Sequence, residues 1–191
     1  DHSFKNLFSA VGIASTPSLE KKTIENEVEN LWQEENLVTG LSVRTIFDSL
    51  LTSQNFDVGS EVIMSGITIP DMVKIVESHK LKIVPVDMDM ANLQVSSETI
   101  SNAITEKTIM VIVAHLFGSI MKMEPIYNAL SNHPHIMIVE DCAQAFDGVN
   151  GYVKGRMTDI SLFSFGTIKS ITALGGAIAF VKKPEDRKSV V

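Results

Sequence analysis

The seven residues from Thr108 to Ala114 read TIMVIVA, without a charge or a turn former. A membrane-spanning helix needs roughly 20 apolar residues, so this run is far too short to be one. Odd and even positions are both apolar, which leaves no polar face for water and predicts a strand covered on both sides. Val62–Met64, Leu81–Val86, Ile136–Val139, Ile160–Phe163 and Ala177–Val181 read as further strands. Helical patterns separate several of them. One starts at Thr68-Ile69-Pro70 and buries Met72, Val73 and Val76, one spans Ser97 to Ile104, and one spans Pro125 to Leu130. Upstream, Asn36 to Gly40 forms a short first strand. Ser42 to Ser53 forms a helix with Val43, Ile46, Phe47, Leu50 and Leu51 at helical spacing. The alternation predicts an α/β fold, a doubly wound, mostly parallel sheet in a three-layer αβα arrangement with right-handed crossovers.

Ligands of such sheets bind beyond the carboxyl ends of the strands. Asp87, His115, Asp141 and Ser164 all fall at such ends. Two stretches concentrate reactive groups there, IMIVEDCAQAFDG from Ile136 to Gly148 and DISLFSFGTIKSITALGG from Asp159 to Gly176. They bring a carboxylate (Asp141), an amide (Gln144), a hydroxyl (Ser164) and a lysine (Lys169) to neighbouring strand ends. These are the groups a pyridoxal 5'-phosphate (PLP) site needs: an amine to condense with the aldehyde, a carboxylate to keep the pyridine nitrogen protonated, and a hydroxyl for the phosphate. Each has an ordinary alternative: a loop lysine, a helix N-cap aspartate, a polar residue opening a helix, a serine ending a strand. Lys169 departs from the ordinary case because its loop is apolar and flanked by Gly175-Gly176. Glu140 precedes Asp141, but alternation along a strand turns the two side chains to opposite faces.

SLFSFGTIKSITALGGAIAF and VEDCAQAFDGVNGYVKGRMTDI resemble the core of the DegT/DnrJ/StrS sugar-aminotransferase family, whose members are fold-type-I PLP enzymes. GSEVIMSGITI, LKIVPVDMDMANLQV and TIMVIVAHLFG resemble the second, third and fourth strands of that family, so the likeness runs from about Leu37 to Lys182. It implies that Lys169 is the catalytic lysine, and that Asp141, Gln144 and Ser164 contact the cofactor's pyridinium, ring oxygen and phosphate. It implies an aminotransferase that moves an amino group from an amino acid, glutamate foremost, to a keto-sugar nucleotide, working as a homodimer. Lysine at 169 separates the chain from the dehydratase branch of the family, which carries histidine there. Four positions depart from the family pattern. Val43 and Arg44 stand where a Gly-Thr pair opens the phosphate-binding helix, Ile69 replaces a ring-stacking aromatic, and Leu174 replaces a glutamate. Arg44 supplies charge to a phosphate or is a surface residue. Ile69 covers the ring but loses a stacking contribution of about 1 kcal/mol.

The resemblance divides the chain into an N-terminal arm and amphipathic helix, 1–36, and a PLP-binding large domain, 37–191, with the family's small C-terminal domain absent. In the arm, Thr16-Pro17 marks a helix start, and Ile24, Val28, Leu31 and Trp32 share one face. With 191 residues and 45% apolar content the chain can bury a core. Its net charge of −7, with acids and bases interspersed, disfavours nucleic acid or an anionic membrane as partner. A lone cysteine, Cys142, and no apolar run of spanning length fit a cytoplasmic protein. His133 and His135 lack carboxylate or thiol neighbours, so no metal site is expected. Gly166 to Ser170 misses the glycine that a phosphate loop requires before its lysine, and no GxGxxG follows a strand. Two other readings remain: a non-catalytic homologue serving as a binding or regulatory module, and a different PLP reaction, such as a lyase, on the same fold.

Overall fold

A computed structural model describes residues 21–32, 36–146, 148, 157–169, 173 and 175–182. Their elements, in chain order, are α1 (Lys21–Trp32), β1 (Leu37–Gly40), α2 (Val43–Gln54), β2 (Glu61–Ser65), α3 (Pro70–Ser78), β3 (Lys82–Val86), α4 (Ser97–Ala103), β4 (Thr108–Ala114), α5 (Glu124–Leu130), β5 (Met137–Asp141), β6 (Ile160–Ser164) and β7 (Ala177–Val181). The seven strands make one sheet in the order β1-β7-β6-β5-β4-β2-β3. Strands β2 to β6 pair in parallel, and β7 runs antiparallel to both β6 and β1. The predicted α/β fold with its doubly wound, mostly parallel sheet is therefore the one observed.

From β2 the chain steps outward to β3, then returns to the other side of β2 to form β4 and continues through β5 and β6. Right-handed crossovers force a change of face when the direction of travel reverses. Helix α3, on the outward step, accordingly packs with α2 on one face through Met72 and Val76 beside Ile46, Phe47 and Leu51. Helices α4 and α5, on the return, bury Ile100, Ile126 and Leu130 on the other. The reversal between β2 and β4 is the switch point at which such sheets open a crevice.

Strand β2 is buried throughout and β4 at every residue but Ile109, because helices cover both faces, as the TIMVIVA run required. Helix α1 docks by a separate aromatic cluster. Its Trp32 stacks on Phe146 at 4.9 Å and meets Phe163 edge-on at 4.6 Å. Glu29 and Glu25 of α1 reach the edge strand, where Leu37 N–H and the Thr39 hydroxyl donate to their carboxylates. Two expectations are corrected. Leu31 points outward and is 66% exposed, because the helix presents Trp32 and Val28 instead. Val73 is only partly buried, since the inward stripe of α3 runs through Met72 and Val76. The expected helix start at Thr16-Pro17 lies outside the described residues.

Candidate active site at the carboxyl ends of the strands

Register places the proposed groups on one side of the sheet. Val139 and Asp141 of β5 align with Ile160 and Leu162 of β6, and Val139, Ile160 and Leu162 all join the core under α2 and α3. By alternation Asp141 and Ser164 turn to that same face, and each is the last residue of its strand. Helices α2 and α3 follow β1 and β2, so their N-termini, bearing Arg44 and Ile69, rise at the same end.

Asp141 is buried. Its Oδ1 accepts the Ala143 N–H at 3.0 Å, the local turn that aspartate favours after a strand. Burial pushes its carboxyl above the usual range, while the Ala143 bond and the charge of Lys169 pull it back. Among the described residues Oδ2 accepts no hydrogen bond, and no fully buried side-chain oxygen there lacks a partner. Oδ2 therefore opens onto the space above the strand ends. Lys169 sits half-buried in the loop after β6, its N–H donating to Gly166 O at 3.0 Å. That loop is folded back by Phe165 N–H to Gly176 O and Ala173 N–H to Phe165 O. Gly176, at φ +88°, occupies the left-handed region that glycine enters without strain.

Gln144 lies in the turn after β5, clasped to the loop after β4. Phe117 N–H donates to its Oε1 at 3.3 Å, and Gly118 N–H to its backbone oxygen at 3.1 Å. A backbone N–H can only donate, so the side-chain oxygen is fixed and the amide nitrogen is the end left for a ligand. Ser164 is half-buried at the tip of β6. Ile69 is the N-cap residue of α3 and is 39% exposed. Arg44 stands at the start of α2, where Ser42 Oγ caps the helix by accepting Thr45 N–H. Its Nη1 lies 3.1 Å from Asp71 Oδ2 in α3, with both side chains about half exposed. Arg44 thus spans the two helix N-termini, and Asp71 is a partner that sequence reasoning missed. Its only signal was an acid one residue after the proline that opens a helix.

A second set, on the opposite face, was not foreseen as a set. His115 and Glu140 are buried, with Nε2 and Oε2 2.8 Å apart. His115 Nδ1 accepts Met121 N–H at 3.0 Å. Thr158 Oγ1 donates to Glu140 Oε1, and the Tyr127 hydroxyl lies 2.9 Å from Thr158 Oγ1. Glu140 does turn away from Asp141, as alternation predicted. His115, Glu140 and Cys142 lie close enough to share an ion. However, Glu140 and both His115 nitrogens are already hydrogen-bonded to protein groups, and burial pushes the Cys142 thiol well up and keeps it protonated.

A buried carboxylate with one open oxygen, a lysine charge acting on it and a strand-end hydroxyl on the same face suit an aldehyde-bearing, phosphorylated pyridine ring. The fold is a doubly wound α/β domain of the kind seen in aminotransferase structures. The chain belongs to the DegT/DnrJ/EryC1/StrS aminotransferase family, whose model matches residues 17–190. It is 33% identical over 155 residues to GDP-perosamine synthase of Escherichia coli O157:H7, a match covering 78% of this chain and 42% of that protein. It is 30% identical over 118 residues to a pleiotropic regulatory protein of Geobacillus stearothermophilus, covering 61% of this chain and 32% of that one. Among solved structures, a protein described as a sugar aminotransferase of Streptococcus pneumoniae, in its PLP form, superposes with a TM-score of 0.82 at 20% identity. That superposition covers 100% of this chain and 55% of the other. The chain thus spans less than half the length of these curated relatives.

Proposed function

We propose that this chain is the PLP-binding portion of a cytoplasmic aminotransferase that moves an amino group from an amino acid, glutamate foremost, to a keto-sugar nucleotide. The convergence of Lys169 and Asp141 at the strand ends, in a chain of this family, carries the reading. Bound there, PLP supplies an electron sink for the carbanion chemistry of amino transfer. Asp141 Oδ2 holds a proton-bearing ring nitrogen, and a low-dielectric setting strengthens that contact. Gln144 donates from its amide nitrogen to the ring oxygen, and Ser164 Oγ donates to the phosphate. Ile69 covers one ring face. Arg44 reaches the phosphate by exchanging its Asp71 partner. Lys169 Nζ would hold the cofactor through its aldehyde carbon, and its amine would serve as the acid–base group for proton transfer. On this reading residues 37–191 belong to the cofactor domain and 1–36 to an N-terminal arm. Six large apolar side chains, Leu41, Ile69, Met90, Phe117, Ile120 and Ile168, lie exposed on loops at this end of the sheet, which supports pairing of two copies into a homodimer across it.

A second reading, a non-catalytic homologue, is favoured by the engagement of Arg44 with Asp71 and by likeness to a protein named for regulation. Adding PLP to the purified chain separates the two. The enzyme reading expects a visible absorption band that borohydride bleaches and that Lys169→Ala lacks, followed by amino exchange between glutamate and a keto-sugar nucleotide. A chain that gives no such band at millimolar PLP sinks it.

A further inference from the structure

The buried set on the α4/α5 face has one consistent direction of hydrogen bonding. Met121 N–H can only donate, so His115 Nδ1 carries a lone pair and the ring proton sits on Nε2. Nε2–H donates to Glu140 Oε2. Thr158 Oγ1 spends its single hydrogen on Glu140 Oε1, and so must accept from the Tyr127 hydroxyl. Four links therefore point one way, from α5 and the loop after β4 towards a single carboxylate. Both ring nitrogens of His115 are occupied, which removes it as an acid or base.

His115 in turn fastens two pieces of the proposed site. Its N–H donates to Asp141 O at 3.0 Å, tying the tips of β4 and β5 together. Its Nδ1 closes the loop from Leu116 to Met121, within which Phe117 and Gly118 hold Gln144. Phe117 keeps a left-handed backbone, φ +54°, which an aromatic residue adopts only when its surroundings impose it.

We infer that Glu140 is a positioning residue: by fixing His115 as its Nε2–H tautomer, it clamps the loop after β4 and so presents Gln144 beside Asp141. The consequence for ligand binding rests on the PLP reading above. The tautomer and the clamp do not.

Nitrogen-15 NMR of the imidazoles in the cofactor-free chain, with His115→Gln for assignment, tests the first link. The wild-type chain should show His115 as the Nε2–H tautomer at pH 7. Glu140→Gln, which keeps one oxygen to accept and an NH2 to meet Thr158, should preserve that tautomer and hold the PLP Kd within about threefold. Glu140→Leu should give mixed tautomers, speed amide exchange at Phe117 and Met121 about tenfold, and raise the PLP Kd about tenfold. A purely space-filling role for Glu140 would leave the tautomer unmoved. An Nδ1–H tautomer in the wild type overturns the inference, as does Glu140→Leu matching Glu140→Gln in every measurement. Should Glu140→Leu not fold, the wild-type tautomer and Glu140→Gln decide. A Gln variant that switches tautomer while amide exchange and PLP Kd stay as in wild type also overturns it. Failure of the wild type to bind PLP counts against the proposed function, and the tautomer and exchange results still decide the positioning role.

Discussion

The charge of Lys169 acts on the carboxyl group of Asp141, although the whole of β6 and the connection leading into it separate the two residues along the chain. Burial and that charge pull in opposite directions. An acid in such a position is costly to the fold and useful to a cationic ligand.

Asp141→Asn should therefore help the empty protein and harm the loaded one. A carboxyl raised on folding makes the native state bind more protons than the unfolded chain between the two pKa values, so stability falls as pH rises through that window. The amide removes this cost. Thermal melts at pH 7 without cofactor should show a higher Tm, by about 2–4 °C for each kcal/mol recovered. Breaking a buried ion pair costs about 3–5 kcal/mol, so the PLP Kd should rise more than about a hundredfold.

Trp32 is the only tryptophan in the chain, and its ring meets Phe146, Phe163 and Phe180. Its fluorescence therefore reports on the docking of α1. Emission should be blue-shifted in the native state and move red in one step with unfolding. Trp32→Ala should cost about 3–5 kcal/mol in a urea titration, the usual loss for truncating a buried large aromatic.

Burial and the neighbouring Glu140 charge push the Tyr127 hydroxyl well above its ordinary range. Between the unfolded and folded pKa values the native state holds the extra proton, so stability falls as pH rises above about 10. Tyr127→Phe should abolish that alkaline loss while costing about 1 kcal/mol at pH 7 through the missing hydrogen bond. Unfolding free energies measured at pH 7 and pH 10.5 give both numbers.

At the opposite end of the sheet, Lys82 Nζ lies 2.8 Å from Glu61 Oε1, and Thr105 Oγ1 donates to Oε2 at 2.6 Å. The hydrogen bond from Lys82, then that from Thr105, hold the Glu61 carboxyl below its usual 4.5. A depressed acid stabilises above its unfolded pKa, and the contribution is lost as pH falls through the folded one. Glu61→Gln should be less stable than wild type at pH 7 by up to about 1 kcal/mol, the scale of a partly exposed pair. The gap should close as pH drops below about 4.5.

Strands and faces were legible in the sequence because burial on both sides writes itself as a run such as TIMVIVA, and burial on one side as alternation. The same alternation separates Asp141 from Glu140 in the sequence itself. Leu31 was misread because a helix can rotate about its axis, and the pull of Trp32 into a ring cluster made from Phe146, Phe163 and Phe180 is invisible in a local window.

The local order of residues thus settled which groups end strands and which helices open beside them, since both follow from spacing and chain reversal alone. Only the tertiary structure decided which groups meet: Arg44 with Asp71, and Tyr127 through Thr158 and Glu140 to His115. Such pairings depend on which crossover returns to which edge of the sheet. That is a property of the whole packed core and of no single segment.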